Sequence, residues 1–256
     1  MSIKVLTENG NSLSFVLDEA TVSVANAIRR VALGEMPVLA IEEVEFLDNS
    51  SSMYDEMLAH RLSLVPIVTD LDILNLRSEC SCEDGCPSCQ VELTLKKKGP
   101  GNVHSQDLKS ANKNLAPIPD ILIVKLGKNQ KVDLKAVAGL GSAKDHAKWQ
   151  STVIAYKYHP IIDVSKNCNQ CGDCVSACPI DLFELKGTKL KVKDERECIL
   201  CQACVEACDA GALNVRGDEN RFIYKVETTG SLKPKEVLTR TCDIIIKKAD
   251  ELKSQL

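Results

Sequence analysis

The chain has 256 residues, 44 % hydrophobic and 27 % charged, which is enough for two or three ordinary globular domains. Its formal net charge of −4 argues against an overall field that grips nucleic acid and points towards protein partners. No apolar run reaches the roughly 18 residues of a membrane span, and the opening residues lack a signal peptide's apolar core, so a cytoplasmic protein is expected.

In chain order, Ile3 and Val5 alternate with polar residues. Asn9-Gly10 then supplies a turn, and Leu13, Phe15 and Leu17 alternate again, which predicts a β-hairpin. Val24, Ala27, Ile28 and Val31 recur at three- and four-residue spacing. They predict a helix with Thr21 or Ser23 as its cap and Pro37 as its stop. A second helix is expected around Tyr54 to Leu62. Residues 77–90 read as a cysteine-rich loop and Leu108 to Asp120 as a further loop, after which Ile121 and Ile123 open a strand. Phe183, Leu185, Gly187, Leu190 and Val192 predict another hairpin. At the end, Leu238, Cys242, Ile245, Ala249 and Leu252 form a heptad-like apolar seam on a helix whose first turn tolerates Pro234. Cys242, on that seam, is expected to be a small buried hydrophobe.

Thirteen cysteines are unusual for such a chain, and twelve of them fall into quartets. Cys168, Cys171, Cys174 and Cys178 recur at an offset of 30 as Cys198, Cys201, Cys204 and Cys208. The C-x2-C-x2-C-x3-C spacing wraps three thiolates round one cubane and sends the fourth to its neighbour. Cys168, Cys171, Cys174 and Cys208 are therefore expected to hold one 4Fe–4S cluster, and Cys198, Cys201, Cys204 and Cys178 a second. Paired zinc knuckles or disulfides are the competing readings, and the repeated spacing is more specific than either requires. The segment resembles two-cluster ferredoxins over residues 164–214, with Pro179 after the first quartet and Asp209 where the second motif expects proline. The third quartet, Cys80, Cys82, Cys86 and Cys89, suits a structural zinc ion; a reduced loop without metal is the alternative.

Further motifs carry a wider resemblance. The stretch from Asn26 to Glu45 resembles the first helix and following strand of the RNA polymerase alpha-like family. His60-Arg61-Leu62-Ser63-Leu64-Val65-Pro66-Ile67 resembles that family's H-R-L-x-L-[IV]-P motif. His146 to Trp149 resembles a motif of its archaeal and eukaryotic members, and the Cys80–Cys89 spacing matches the zinc loop of the third-largest eukaryotic subunit. The nearest match is the archaeal D-subunit branch in its iron–sulfur form. The resemblance implies an α+β fold with three parts. Residues 1–44 and 223–256 would form a discontinuous dimerisation domain. Residues 45–163 and 215–222 would form a mixed, mainly β insert domain with the zinc-type loop, and residues 164–214 a ferredoxin-like domain. It also implies a heterodimer with the small alpha-like subunit L, which nucleates assembly with subunits N and P and the second-largest subunit.

From periodicity alone, both amphipathic helices read as intramolecular core; the resemblance instead turns their faces around Ile28, Val31, Ile245 and Leu252 into an interface. Arg29-Arg30 reads as a solvated helix face and, by resemblance, as a subunit contact; His60 and Arg61 read equally as interface or packed helix end. His146 and His159 lack the paired carboxylates of a catalytic base. No phosphate-binding loop, nucleophile elbow or paired aspartates for magnesium occur, so polymerase chemistry is expected on other chains, as is sequence-specific DNA contact. The competing function is an iron–sulfur electron-transfer subunit of an oxidoreductase complex.

Overall fold

The computed structural model describes residues 1–83, 85–187 and 189–256. The expected hairpin is β1 (Ser2–Asn9) and β2 (Ser12–Asp18), turned at Gly10 with a φ of +52° that glycine adopts without strain. Helix α1 (Val22–Gly34) starts where the Val24 N–H donates to Thr21 Oγ1 at 3.3 Å, so of the two candidate caps threonine is the one used. Strand β3 (Val38–Asn49) and helix α2 (Asp55–Ser63) follow. Then come β4 (Gln90–Lys98), β5 (Gly101–His104), β6 (Lys109–Ser110), β7 (Leu122–Leu126), β8 (Lys131–Gly141) and β9 (Thr152–Val164). Short helix α3 (Asp173–Ala177), hairpin β10 (Phe183–Lys186) and β11 (Lys189–Val192), and short helix α4 (Ala203–Glu206) lie in the cysteine repeat. Strand β12 (Leu213–Thr228) and helix α5 (Pro234–Ser254) close the chain. The result is the α+β class expected. The loop read from Leu108 to Asp120 contains the two-residue β6. No described helix is long and apolar enough to cross a membrane.

The chain divides into two compact units. The first comprises Met1–Glu8, Ser14–Asn26 and Ala155–Lys225; the second Asn9–Leu13, Ala27–Ile154 and Val226–Leu256. Strands β1, β2, β12 and β9 are neighbours in that order in one sheet. In the first unit Phe15 stacks on Tyr224 with ring centroids 4.8 Å apart, and Tyr156 meets Phe222 edge-on at 5.4 Å. The buried Tyr224 hydroxyl donates to Ala25 O at 2.8 Å, which satisfies its polar end. Where β9 and β12 part, the Ser165 N–H still donates to Ala212 O at 2.7 Å. The whole cysteine repeat is thus an excursion between two adjacent strand ends.

The second unit is built on the sheet β3-β8-β4-β6 and the pair β5-β7. Strand β4 alternates Val91, Leu93 and Leu95 inward with Glu92, Thr94 and Lys96 outward, the pattern of a half-buried strand. Leu58 and Leu62 of α2 are fully buried in the same core, each contributing about 1.5–3 kcal/mol as an upper estimate. Arg61 fixes α2 to β7, its Nε and Nη2 donating to Ile123 O and Leu122 O, both at 2.8 Å. Trp149 lies on the close-packed backbone of Gly141, where a Cβ would come within 2.3 Å of the indole, and its Nε1 donates to Gly139 O at 3.2 Å. His146 caps the short turn before it, accepting from the Lys148 N–H, and His159 is buried against Pro160 O.

Two expectations are corrected. Val31 is 7 % exposed and belongs to the chain's own core, not to an open face. Cys242 is exposed, not buried. The reason is rotational: α5 buries Pro234, Val237 and Thr241, and it is tied by Arg240 to Asp72 and by Lys248 to Glu35. The seam of Leu238, Cys242, Ile245, Ala249 and Leu252 therefore turns away from this core. Leu238 and Ile245 are half-buried and the other three exposed.

Candidate functional site

The twelve grouped cysteines form three gatherings. One small cavity is lined by Cys168, Cys171, Cys174 and Cys208, together with Val164, Leu185, Leu190 and Leu213. A second is lined by Cys178, Cys198, Cys201 and Cys204, with Ile180, Leu182, Phe183, Ile199 and Val215. Cys178 thus faces the thiols of the later repeat, and Cys208 those of the earlier one.

Local backbone makes this arrangement, and it repeats like the sequence. Gln170 and Leu200, Gly172 and Gln202, and Asp181 and Gly211 are pairs at an offset of 30, and all six have positive φ. Left-handed residues inside a tight loop turn successive N–H groups inward, forming a concave nest for an anionic group. A branched residue such as Leu200 pays strain there, so the loop's closure must hold it. The Leu182 N–H donates to Cys178 Sγ at 3.4 Å and the Ala212 N–H to Cys208 Sγ at 3.3 Å, again at matching positions. Such N–H···S bonds favour thiolate over thiol and tune a cluster's potential.

The electrostatics group the thiols in the same way. Burial, then the neighbouring Cys178, Cys198 and Cys201, pushes the Cys204 thiol up to about 11. Burial, then Cys168 and Cys171, raises Cys174. Burial and the repulsion that neighbouring thiolates would feel keep such thiols protonated and neutral until a metal centre takes the proton's place. Among the described residues, only the Cys80 quartet draws its ligand atoms within 4.8 Å of one another. The other eight stand round two apolar cavities, which fits the corners of a polynuclear cluster better than a single ion. An apolar shell also excludes water from such a centre.

The Cys80, Cys82, Cys86 and Cys89 sulfurs close into a compact cage. Cys80 lies 3.2 Å from Cys82 and 3.6 Å from Cys86, and Cys89 lies 3.5 Å from Cys82 and 3.9 Å from Cys86. A tetrahedral zinc with Zn–S bonds of about 2.3 Å needs sulfurs about 3.8 Å apart, so the donor set fits that ion after small adjustment. Gly85, with φ +100°, makes the turn, and a Cβ there would strike the Gln90 side chain. Burial opposes ionisation of Cys89, but the Cys86 N–H, Arg77 and neighbouring thiols outweigh it and pull its pKa down to about 6. Cys82 is pushed up to about 12, mainly by its hydrogen bond with Cys80. The sequence carries no signal for Arg77, because a lone arginine three residues before a cysteine makes no motif.

Two family models match the chain: "RNA polymerase Rpb3/RpoA insert domain" over residues 44–165 and "4Fe-4S dicluster domain" over residues 167–213. The DNA-directed RNA polymerase subunit Rpo3 of Methanothermobacter thermautotrophicus is 44 % identical over 257 residues, covering 98 % of this chain and 97 % of its own. Rpo3 of Archaeoglobus fulgidus is 42 % identical, covering 98 % and 96 %. The DNA-directed RNA polymerase II subunit rpb3 of Dictyostelium discoideum is 32 % identical, covering 99 % and 94 %. These matches run through the scaffold and the cysteine repeat alike, and on them the chain belongs to the archaeal Rpo3 family of DNA-directed RNA polymerase subunits, with a 4Fe–4S dicluster domain between its scaffold strands.

Proposed function

We propose that this chain is the non-catalytic assembly subunit of its polymerase, working in the cytoplasm as the larger half of a heterodimer with the small alpha-like subunit L. The observation that carries this reading is the outward seam of α5, where Leu252 is 62 % exposed beside half-buried Leu238 and Ile245. A continuous apolar helix face on a soluble subunit calls for a partner helix. Residues 1–44 and 223–256 form the dimerisation domain and residues 45–163 and 215–222 the insert domain, and subunits N and P and the second-largest subunit dock on the heterodimer. Residues 164–214 hold two 4Fe–4S clusters, one on Cys168, Cys171, Cys174 and Cys208, the other on Cys198, Cys201, Cys204 and Cys178. These clusters organise that module, whose small apolar core is built largely around the ligands themselves. The Cys80–Cys89 loop holds one structural zinc.

Co-expression tests the pairing. With subunit L of the same organism, the chain is expected to elute as a one-to-one complex in size-exclusion chromatography with light scattering. Alone it is expected to aggregate or self-associate. A well-behaved monomer that ignores L would overturn the proposal.

A further inference from the structure

We propose that Arg77 is a positioning residue of the Cys80–Cys89 centre, a fixed guanidinium that bridges two of its four sulfurs and supplies the counter-charge by which the loop retains its ion. The inference rests on the zinc reading above. Arg77 Nη1 donates to Cys82 Sγ at 3.3 Å and to Cys89 Sγ at 3.5 Å, while its Nη2 donates to Glu83 O. One side chain thus ties Cys82 and Glu83 in the middle of the loop to Cys89 at its end, a use that depends on the planar fork of arginine.

Its position is set by the backbone. Arg77 opens a 3-10 turn, Arg77–Glu79, in which the Cys80 N–H donates back to Arg77 O at 3.3 Å. Asn75 N donates to Ser88 O at 2.8 Å across the base of the loop. Glu79 pairs with Lys247 of α5 at 3.1 Å, so the turn is also anchored to the helix.

The charge count shows why such a residue is needed. Four thiolates round one zinc ion leave a net charge of about −2. Between Leu62 and Leu95, Arg77 is the only lysine, arginine or histidine, against six acidic residues, of which Asp72 and Glu79 are paired with Arg240 and Lys247 of α5 and the others are Asp70, Glu83, Asp84 and Glu92. The centre sits in a locally anionic segment, with three of its cysteines only half-buried. Backbone N–H groups also reach these sulfurs, Cys86 onto Cys89 Sγ at 3.3 Å, Gly85 onto Cys82 and Ser88 onto Cys86, but Arg77 is the charged donor that the described residues give them. A partner of this kind, in contact with ligands and not with the ion, typically changes metal affinity about ten- to a hundredfold.

The test is the rate at which the heterodimer with L gives up zinc to a coloured chelator. Wild type is compared with Arg77→Gln, which removes the charge but not every donor, and Arg77→Lys, which keeps the charge without the fork. Zinc loss from Arg77→Gln is expected to be about ten- to a hundredfold faster at low salt. The gap should narrow near 1 M salt, where screening acts within about 3 Å, and lysine should recover part of the retention. A purely structural role for Arg77 would show no such salt dependence and no rescue by lysine. Equal rates for wild type and Arg77→Gln, or a gap indifferent to both salt and lysine, would overturn the proposal. Wild-type protein prepared without chelator and found free of zinc would instead overturn the zinc reading beneath it.

Discussion

Changing Cys178 to serine is expected to remove one whole cubane, and to remove the one held mainly by the other repeat. Iron should fall from about eight to about four per chain in anaerobically prepared protein. Cys178 is 8 % exposed and lines its cavity with Cys198, Cys201 and Cys204; an alcohol there cannot replace the soft thiolate at an iron corner. The cavity of Cys168, Cys171, Cys174 and Cys208 keeps all its thiols, so its cluster signal should persist. Cys208→Ser should give the mirror result. If Cys178→Ser erased the signal of the Cys168-side cluster alone, the crossed ligand sets would be wrong.

The second large effect is expected from Ile245→Asp. In the chain alone Ile245 is half-buried on the outward face of α5, so the variant should fold with little loss of stability. In the heterodimer the same position would become desolvated, and an uncompensated charge there costs about 3–5 kcal/mol. Binding to subunit L should weaken about a hundred- to several-thousandfold, as measured by light scattering of mixed subunits or by titration calorimetry. Thr239→Asp, also exposed on α5 but off the seam, serves as the control and should pair almost normally. Unchanged pairing of Ile245→Asp would show that the seam is not the interface.

How far the sequence was legible depended on whether the determinants were local. The opening hairpin, α1, α2, the β10–β11 hairpin and α5 were all readable, because turn residues and apolar spacing lie within one short window. The long strands β8, β9 and β12 were not. In β12 the charged stretch Arg216 to Arg221 looks like a loop, yet the strand runs through it because pairing with neighbours, not its own pattern, holds it extended. Cys242 was misjudged because periodicity shows that a face is apolar and not what covers it. Val31 shows the converse, an interface residue by resemblance that the chain buries in itself. At the cysteine centres, spacing was enough to anticipate which thiols the fold gathers together. It could not show Arg77, whose bond to the sulfurs depends on a 3-10 turn. Of the six left-handed positions at an offset of 30, Gly172 and Gly211 are legible as glycines, while Gln170, Leu200, Gln202 and Asp181 give no such signal. The electron-carrier alternative accounts only for the repeat, whereas relatives named as polymerase subunits match 98 % of the chain.

The proposed pairing of the scaffold runs through helices that owe nothing to the clusters the chain carries. The fold permits a direct test, because Ser165 N and Ala212 O are 2.7 Å apart at the base of the cysteine module. Residues 166–211 can therefore be replaced by two or three glycines without pulling β9 and β12 apart. The measurement is the stoichiometry of this variant with subunit L, alongside recovery of the full polymerase. A one-to-one heterodimer of near-wild-type affinity, with full assembly weakened, is the expected result. Loss of the heterodimer itself, in a variant whose remaining sheet is folded by circular dichroism, would contradict it.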